Sequence, residues 1–593
     1  MADAEREEED PEMPELVPQD EGDSEDEQEG SDDEEEDEVE VFRPRRSTRI
    51  RDGVRRPARF GDAMATMVST SDRNSPDMNQ KIRAAEIEEI MMCFVTLGAL
   101  LPVMPEELRG VTALTCHMFT VEKFTADGSY DKHKARIVAH GNEQDSVLYP
   151  DRSSPTVGMH AILTSLAFAA YNPNLKFAKI DVKGAFIQTE MKGTPVYIKC
   201  NKKLTQLITD TLPGIRKYVC IDGTLYCKLW KALYGCVQAS KLWYEKLSAF
   251  LTSLGYEKCA VEPCVMKRIV DGKTYLLLIY VDDILSIANE VEFERLRAAF
   301  EKVFRWITME IGDNLSYLGM QLEKKAGKVE IDMTFYLEKI LAGYQNLPDV
   351  DVPGDSRVFE VNGGSPVLAD EKRKLFHSTV AKLLYLAKRA RPDIIIIVGF
   401  LCTRVKAPLE DDQNKLEMLL GYLEKTKHQR LIIKPHGMFK MQAYVDASFG
   451  IHVDGKSHTG CVIMVAGVPV FCSSRKQKCM TKSPTEAELV GLSDNLANIE
   501  VFAELMEFIT GEKAITPVIY QDNTSVISLV TQGGGMMRTK HLRARVNLVL
   551  EAVAEKRVKV VYVSTEKMIA DGLTKVLGSS LFYRFAKHVL GKG

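Results

Sequence analysis

Twelve cysteines are spread through 593 residues, and no two stand as a CxxC pair. Cys220, Cys227 and Cys236 come closest to a cluster, but no histidine sits at ligand spacing, which argues against a zinc site. Cysteines so scattered read as reduced core residues of an intracellular protein. Long apolar runs are missing too: stretches such as 394–402 fall far short of the roughly 20 residues that cross a bilayer. The N-terminus is acidic and has no apolar segment of the kind that marks a secretory signal. No internal repeat is visible. No serine is matched to a base and an orienting acid, so nucleophilic triad chemistry is not indicated.

What is present is charge, unevenly placed. Of the net charge of −7, residues 1–40 carry −22, which leaves +15 on the other 553 residues. The acidic block cannot bury a core and is expected to be a disordered tail. Residues 43–59 hold eight arginines among Pro and Ser, and the expectation for 41–85 is an Arg-rich linker. That tract reads either as a solvated spacer or as a nuclear-localisation or nucleic-acid-binding segment, and the acidic block could pair with it in cis. A basic body suits a polyanionic partner.

From about Glu86 the pattern becomes globular. Strand-like runs at 134–139, 177–181 and 274–287 alternate with helical stretches at 159–170, 242–254 and 291–303, an α+β pattern. Residues 351–370, rich in Asp, Pro and Gly, read as a connector, followed by helices at 375–388 and 411–427. A new α/β unit begins near Met441, with a strand–strand–helix–strand–helix order that predicts a separate domain.

Two acids, Asp282 and Asp283, interrupt a long β-rich run. A hairpin turn there would favour Asn-Gly or Asp-Gly, and neither is present. Burying ionised carboxylates is costly unless they are paired or bind a metal. A second strand, 177–181, also ends in an acid, Asp181. Acids at two strand ends can hold two Mg²⁺ ions about 3.5–4 Å apart, because a hard cation takes carboxylate and phosphate oxygens.

The surrounding blocks carry a resemblance. Tyr280-Val281-Asp282-Asp283 resembles the YxDD motif of reverse transcriptases, and the segment from Asp181 to Phe186 resembles their first catalytic motif. The run Lys231-Ala-Leu-Tyr-Gly-Cys-Val-Gln-Ala-Ser-Lys-Leu-Trp-Tyr244 is similar to the KALYGLKQAPRxWY segment of Ty1/copia elements. Lys134 to Gly141, Leu315 to Met320 and Tyr385 to Asp393 resemble further blocks of the same family, in the family's order, so the likeness covers roughly 86–430. It implies a right-hand polymerase: fingers and palm over 86–350, thumb and connection over 351–435. It also implies roles. Asp181 and Asp282 are the principal metal ligands, supported by Asp283 and the carbonyl of Val182. Lys134 and Arg136 neutralise the incoming triphosphate. Phe186 lies under the sugar and excludes a 2′-hydroxyl, and Gln238 contacts the nucleotide. Gly319 lets the chain approach the primer backbone. The departures Cys236-Val237, Ser240 and Lys241 touch positioning and leave every carboxylate in place.

The last 150 residues repeat the theme. Asp446 and Asp522 end strand-like runs, Glu486 and Glu488 open a helix, and Asp571 begins a short helical segment. Singly, each acid can be read as a cap or a first-turn charge; together they are harder to explain so. The blocks 446–450, 484–489, 522–526, 539–542 and 570–575 resemble the ribonuclease H of Ty1/copia elements, which implies a domain over 436–593 with Asp446, Glu488, Asp522 and Asp571 as metal ligands. Glu488 is preferred to Glu486 because related enzymes place the ligand directly before Leu. Ser483 and Thr485 are expected to cap that helix, and His541 reads either as a substrate contact or as a surface residue. The histidine that many ribonucleases H carry before the last Asp is missing between Val558 and Ala570.

The resemblance therefore implies an enzyme that copies retrotransposon RNA into DNA and cuts the RNA of an RNA–DNA hybrid, with Mg²⁺, or Mn²⁺ in its place, in both sites. Its implied partners are an RNA template, a DNA primer strand, dNTPs, a tRNA primer, and the integrase and Gag of the same element, with no membrane. Its implied location is the cytoplasm, in virus-like particles, or the nucleus. Two other readings stay open: a host-retained, catalytically silent relic that binds nucleic acid, and an interaction protein whose acidic tail recruits basic partners. No zinc knuckle, integrase His/Cys pair or protease motif is found, and 42–60 resembles the linker that follows integrase. The chain is thus read as the C-terminal part of a longer product or as a truncated frame.

Overall fold

The computed structural model describes residues 66–67, 76–108, 111–124, 130–145, 154–512, 515–532 and 540–592. The expected acidic tail and nearly all of the Arg-rich linker lie outside these residues.

Four sheets organise the described chain. The first contains Leu114–Phe124 and Tyr130–Ala139, an antiparallel pair whose alternation presents Lys134 and Arg136 on one face. The second, the palm sheet, runs Ile307–Gly312, Lys176–Val182, Asp283–Ala288, Lys273–Tyr280, Val265–Val270, Glu257–Lys258. Its central strands are β-branched and aliphatic; Asp283–Ala288 is buried from Ile284 to Ala288, so the acids fall where the apolar run stops. The third sheet joins Asn314–Tyr317, Met320–Lys325 and Lys328–Asp332 to Leu431–Ile433. The 351–435 segment thus returns to pair with a sheet that begins at residue 314. Between the ends of that segment lie the helices Asp370–Ala387, Ile395–Cys402 and Glu410–Lys425.

The last sheet has the order Val468–Lys476, His458–Val465, Met441–Ser448, Val518–Gln521, Lys559–Tyr562; the first three strands are antiparallel and the last two parallel. Three strands therefore precede the helix Pro484–Thr510, where the sequence reading had two. The edge strand Val468–Lys476 runs out into half-exposed Ser, Arg and Lys, which blurs its apolar alternation. The helix Met159–Tyr171 explains its own composition: eleven of its thirteen residues are buried, because it is wedged between the third sheet and the last sheet. There Phe168 meets Phe439 at 6.2 Å and His160 meets Phe502 at 4.9 Å. An all-round apolar helix belongs in such a place. No helix among the described residues is long and apolar enough to cross a membrane.

Candidate active sites

In the palm sheet Asp181 pairs in register with Asp283, and on its other side with Thr308. Tyr280 and Asp283 close the adjoining hairpin, leaving Val281 and Asp282 as a two-residue turn. Val281 takes φ +58°, a left-handed conformation rare for a β-branched residue. Strain of this kind costs about 1–3 kcal/mol and persists only where the surroundings impose it. Here they do: the fully buried Trp243 donates its indole Nε1–H to the Val281 carbonyl at 2.6 Å. The register sets Asp283 beside Asp181, with Asp282 preceding it in the turn, both half-buried, and the buried Val182 follows Asp181 on its strand. Lys179 lies 3.8 Å from Asp283.

The expected nucleotide contacts gather through aromatic packing. The Arg136 guanidinium stands 5.2 Å over the Tyr234 ring, and that ring lies 5.4 Å from Phe186, so one stack ties the first sheet to the strand end carrying Asp181. Buried Gln238 accepts from Gln144 Nε2 at 2.9 Å, while its own Nε2 is a buried donor with no partner. Glu89, on the helix Pro76–Met91, sits beneath Lys134 and Arg136 and accepts from the Ile137 N–H at 3.2 Å. Burial raises its pKa, and the hydrogen bond from Ile137 and the two cations oppose that rise. Sequence reasoning missed Glu89, since an acid on a helix ordinarily reads as surface.

Gly319 occupies the turn between Asn314–Tyr317 and Met320–Lys325 with φ +75°, next to Leu318 at +49°. A Cβ there would come 2.9 Å from the Tyr385 hydroxyl. That hydroxyl donates to the Leu318 carbonyl at 2.7 Å, and Tyr317 donates to Leu278 at 3.3 Å, so the turn is fastened to the palm.

The C-terminal site is more concentrated. Carboxylate oxygens of Asp446, Glu488 and Asp522 all lie within 4.8 Å of one another, the one such cluster among the described residues. Asp446 lies in the central strand Met441–Ser448, two residues before its end, Glu488 lies in the first turns of Pro484–Thr510, and Asp522 follows Val518–Gln521. Ser483 caps that helix by accepting from the Glu486 N–H at 3.2 Å, while the Glu486 carboxylate accepts from the Lys482 N–H at 2.7 Å. Glu486 is thus spent on the helix end, and Thr485 sits inside the helix rather than at its cap. Asn523, not Asp522, accepts from Ser525 and Val526 at the next helix start, leaving Asp522 to the site, where Thr565 donates to it at 2.8 Å. Burial, with Asp446 and then Asp522 nearby, pushes Glu488 up to about 9, against hydrogen bonds from Ala447 and Gln521.

Asp571 stands at the edge of this trio, in the 3₁₀ segment Ile569–Leu573. Burial and then Asp446 raise it to about 6, against Lys575, which binds Asp571 at 2.8 Å and reaches Asp446 at 3.6 Å. Thr574 donates to the Asp446 carboxylate. Neither Thr574 nor Lys575 was singled out in the sequence. His541 is the second residue of the helix Lys540–Ala554, and its side chain lies outside the described residues.

Residues 105–351 match a family described as reverse transcriptase (RNA-dependent DNA polymerase). The Pol polyprotein of transposon TNT 1-94 from Nicotiana tabacum is 28% identical over 495 residues, covering 82% of this chain and 36% of its own length. That of transposon RE1 from Arabidopsis thaliana is 28% identical over 496 residues (82% and 32%), and the Ty1-H Gag-Pol polyprotein from Saccharomyces cerevisiae is 24% identical over 485 (76% and 25%). The chain spans between a quarter and about a third of the length of these relatives. Among solved structures, the foamy viral protease–reverse transcriptase in complex with RNA/DNA hybrid has a TM-score of 0.44 at 12% identity, covering 82% of this chain and 54% of that one. LC11-RNase H1 from compost has a TM-score of 0.19 at 20% identity, covering 23% and 93%.

Proposed function

We propose, from the premise that this chain is a Pol protein of the Ty1/copia type, that it is an RNA-directed DNA polymerase joined to a hybrid-cutting ribonuclease. The observation that carries the reading is the recurrence of strand-end acids in two unrelated sheets, each completed by acids from elsewhere in the chain.

The donor sets fit divalent cations. Three carboxylates packed within 4.8 Å offer hard oxygens and little else, and their mutual repulsion is relieved by a cation such as Mg²⁺. A bound pair would supply activation of an attacking oxygen and stabilisation of a leaving one. Asp181 and Asp282 would hold it in the palm, with Asp283 and the Val182 carbonyl in support; Asp446, Glu488, Asp522 and Asp571 would hold it in the C-terminal site. The chain's other groups then bind and orient. Lys134 and Arg136 receive the triphosphate, Phe186 presses on the sugar and refuses a 2′-hydroxyl, Gln238 offers its unpaired donor to the nucleotide, and the Gly319 turn contacts the primer backbone. In the second site, choosing RNA rests on reading 2′-hydroxyls across the minor groove. Template, primer, a tRNA starter, Gag and integrase belong to the same reading, as does residence in cytoplasmic particles or the nucleus.

The test is primer extension on an RNA template beside cleavage of a labelled hybrid, in Asp282→Asn and Asp522→Asn. Each variant is expected to lose one activity by more than about 100-fold, the upper end of what disturbing a ligand's support costs, and to keep the other. Persistence of both activities in both variants would overturn the assignments. A wild-type chain that binds hybrid and neither copies nor cuts would instead favour the silent relic.

A further inference from the structure

Two histidines and a serine form a hydrogen-bonded line beside the C-terminal site. His452 Nε2 lies 3.0 Å from His458 Nδ1, His458 Nε2 lies 2.7 Å from Ser474 Oγ, and Ser474 donates to the Leu573 carbonyl at 2.7 Å. The direction of every bond follows. Ser474 has one proton and gives it to Leu573, so it must accept from His458 Nε2–H; His458 Nδ1 then accepts, and His452 Nε2–H donates. Both rings are held neutral by burial, which keeps each nitrogen in its assigned role. Phe359, from the 351–370 connector, packs against both rings at 5.2 and 5.3 Å.

The line ends where the site's last acid is mounted. Leu573 closes the segment carrying Asp571, and the next two residues bind Asp446: Thr574 by its hydroxyl, Lys575 by its ammonium. Gly460, two residues past His458, faces the same segment so closely that a Cβ would meet Leu573 Cβ and Thr574 Cγ2 at 2.8 Å. We propose that His452, His458 and Ser474 are positioning residues for the nuclease: a one-way strut, backed by Phe359, that sets Leu573 and through it the placement of Asp571, Thr574 and Lys575 on the metal-binding carboxylates. This rests on the ribonuclease reading given above and names residues that no block of the family resemblance contains.

The test uses the full chain with Ser474→Ala, which removes the link to Leu573, and His458→Phe, which keeps a ring against Phe359 and removes both nitrogens. Two readouts are taken: amide hydrogen exchange of 569–575 without added metal, and the Mg²⁺ concentration giving half-maximal hybrid cleavage. Faster exchange in that segment and a Mg²⁺ requirement raised about tenfold are expected, with the rate at saturating Mg²⁺ within about twofold and DNA synthesis unchanged. Ser474→Thr, which retains the hydroxyl, is expected to restore both. Unaltered exchange in Ser474→Ala and His458→Phe overturns the strut. If the wild-type chain does not cut hybrid, the ribonuclease reading falls while the exchange arm still decides the strut.

Discussion

The palm acids and the C-terminal acids are mounted by opposite means. In the palm, Asp282 and Asp283 stand half-buried on a strained two-residue turn, and one indole hydrogen bond from Trp243 holds the carbonyl that the turn must present. In the C-terminal domain, three acids converge from two strands and a helix to within 4.8 Å, and burial leaves Glu488 protonated to about 9. The first site spends its free energy on backbone conformation and leaves its acids half-exposed. The second spends it on crowding like charges, so it is poised for a cation before any substrate arrives.

The largest effect that would sharpen this contrast lies in the palm. Phe186 is buried against Tyr234, so it can bar a 2′-hydroxyl only as a fixed wall. Phe186→Val is expected to lower discrimination between dNTP and rNTP about 100-fold, the scale that a shape-based pocket reaches. Single-nucleotide incorporation measures it, and unchanged discrimination would remove Phe186 from the nucleotide site. Hybrid cleavage should not move.

The next prediction addresses crowding. Glu488 has a folded-state pKa raised above its ordinary value, so its contribution to stability is complete below about 4.5 and drains away as pH rises towards 9. Without metal, the wild-type chain should lose stability relative to Glu488→Gln across pH 6–9, by up to about 1.4 kcal/mol per pH unit. Asp571, raised to about 6, adds a loss below that window, as pH rises from about 3.8 towards 6. Because Mg²⁺ takes the ionised carboxylates, the rise in Tm that it gives should grow with pH. A wild-type profile parallel to that of Glu488→Gln would show that the trio is not crowded in solution.

How these sites were legible follows from the same difference. Paired acids interrupting a β-rich run announce a turn with a purpose, and the register of Asp181 against Asp283 is what adjacent antiparallel strands supply. Trp243 stood inside a block that carries the resemblance but drew no role of its own, because an indole on a helix reads as core, which it also is. The C-terminal quartet was visible as four strand or helix ends, yet Thr574 and Lys575 became partners of Asp446 only through topology: they lie 128 and 129 residues away in sequence. One strand too few was read before the helix Pro484–Thr510, and the edge strand Val468–Lys476 is hard to read for the reason that makes it an edge, a half-exposed and charged far end. It carries Ser474, whose partners His458 and Leu573 are distant in sequence and meet it only in the fold.

A smaller effect tests the palm turn directly. Trp243→Phe keeps much of the buried ring and removes the donor to Val281. Without that bond the turn is expected to relax from its left-handed conformation, and DNA synthesis to fall about tenfold, equivalent to about 1.4 kcal/mol, with cleavage unaltered. Equal losses in both activities would mean that the indole only stabilises the fold.

The smallest expected effect separates backbone need from close approach at Gly319. Its φ of +75° costs an alanine about 1 kcal/mol whatever surrounds it, and the Tyr385 hydroxyl 2.9 Å from the new Cβ adds crowding. Gly319→Ala is therefore expected to lower stability by about 1–2 kcal/mol. Tyr385→Phe alone costs roughly 1 kcal/mol, since it gives up the bond to Leu318. In the double variant the crowding is gone, so the two losses should add to less than their sum, a coupling that a thermal melt of the four proteins reads. Strict additivity would assign the whole cost to backbone conformation. The turn could then contact a primer without the tyrosine's help, leaving the palm still more dependent on strained turns than the C-terminal site is.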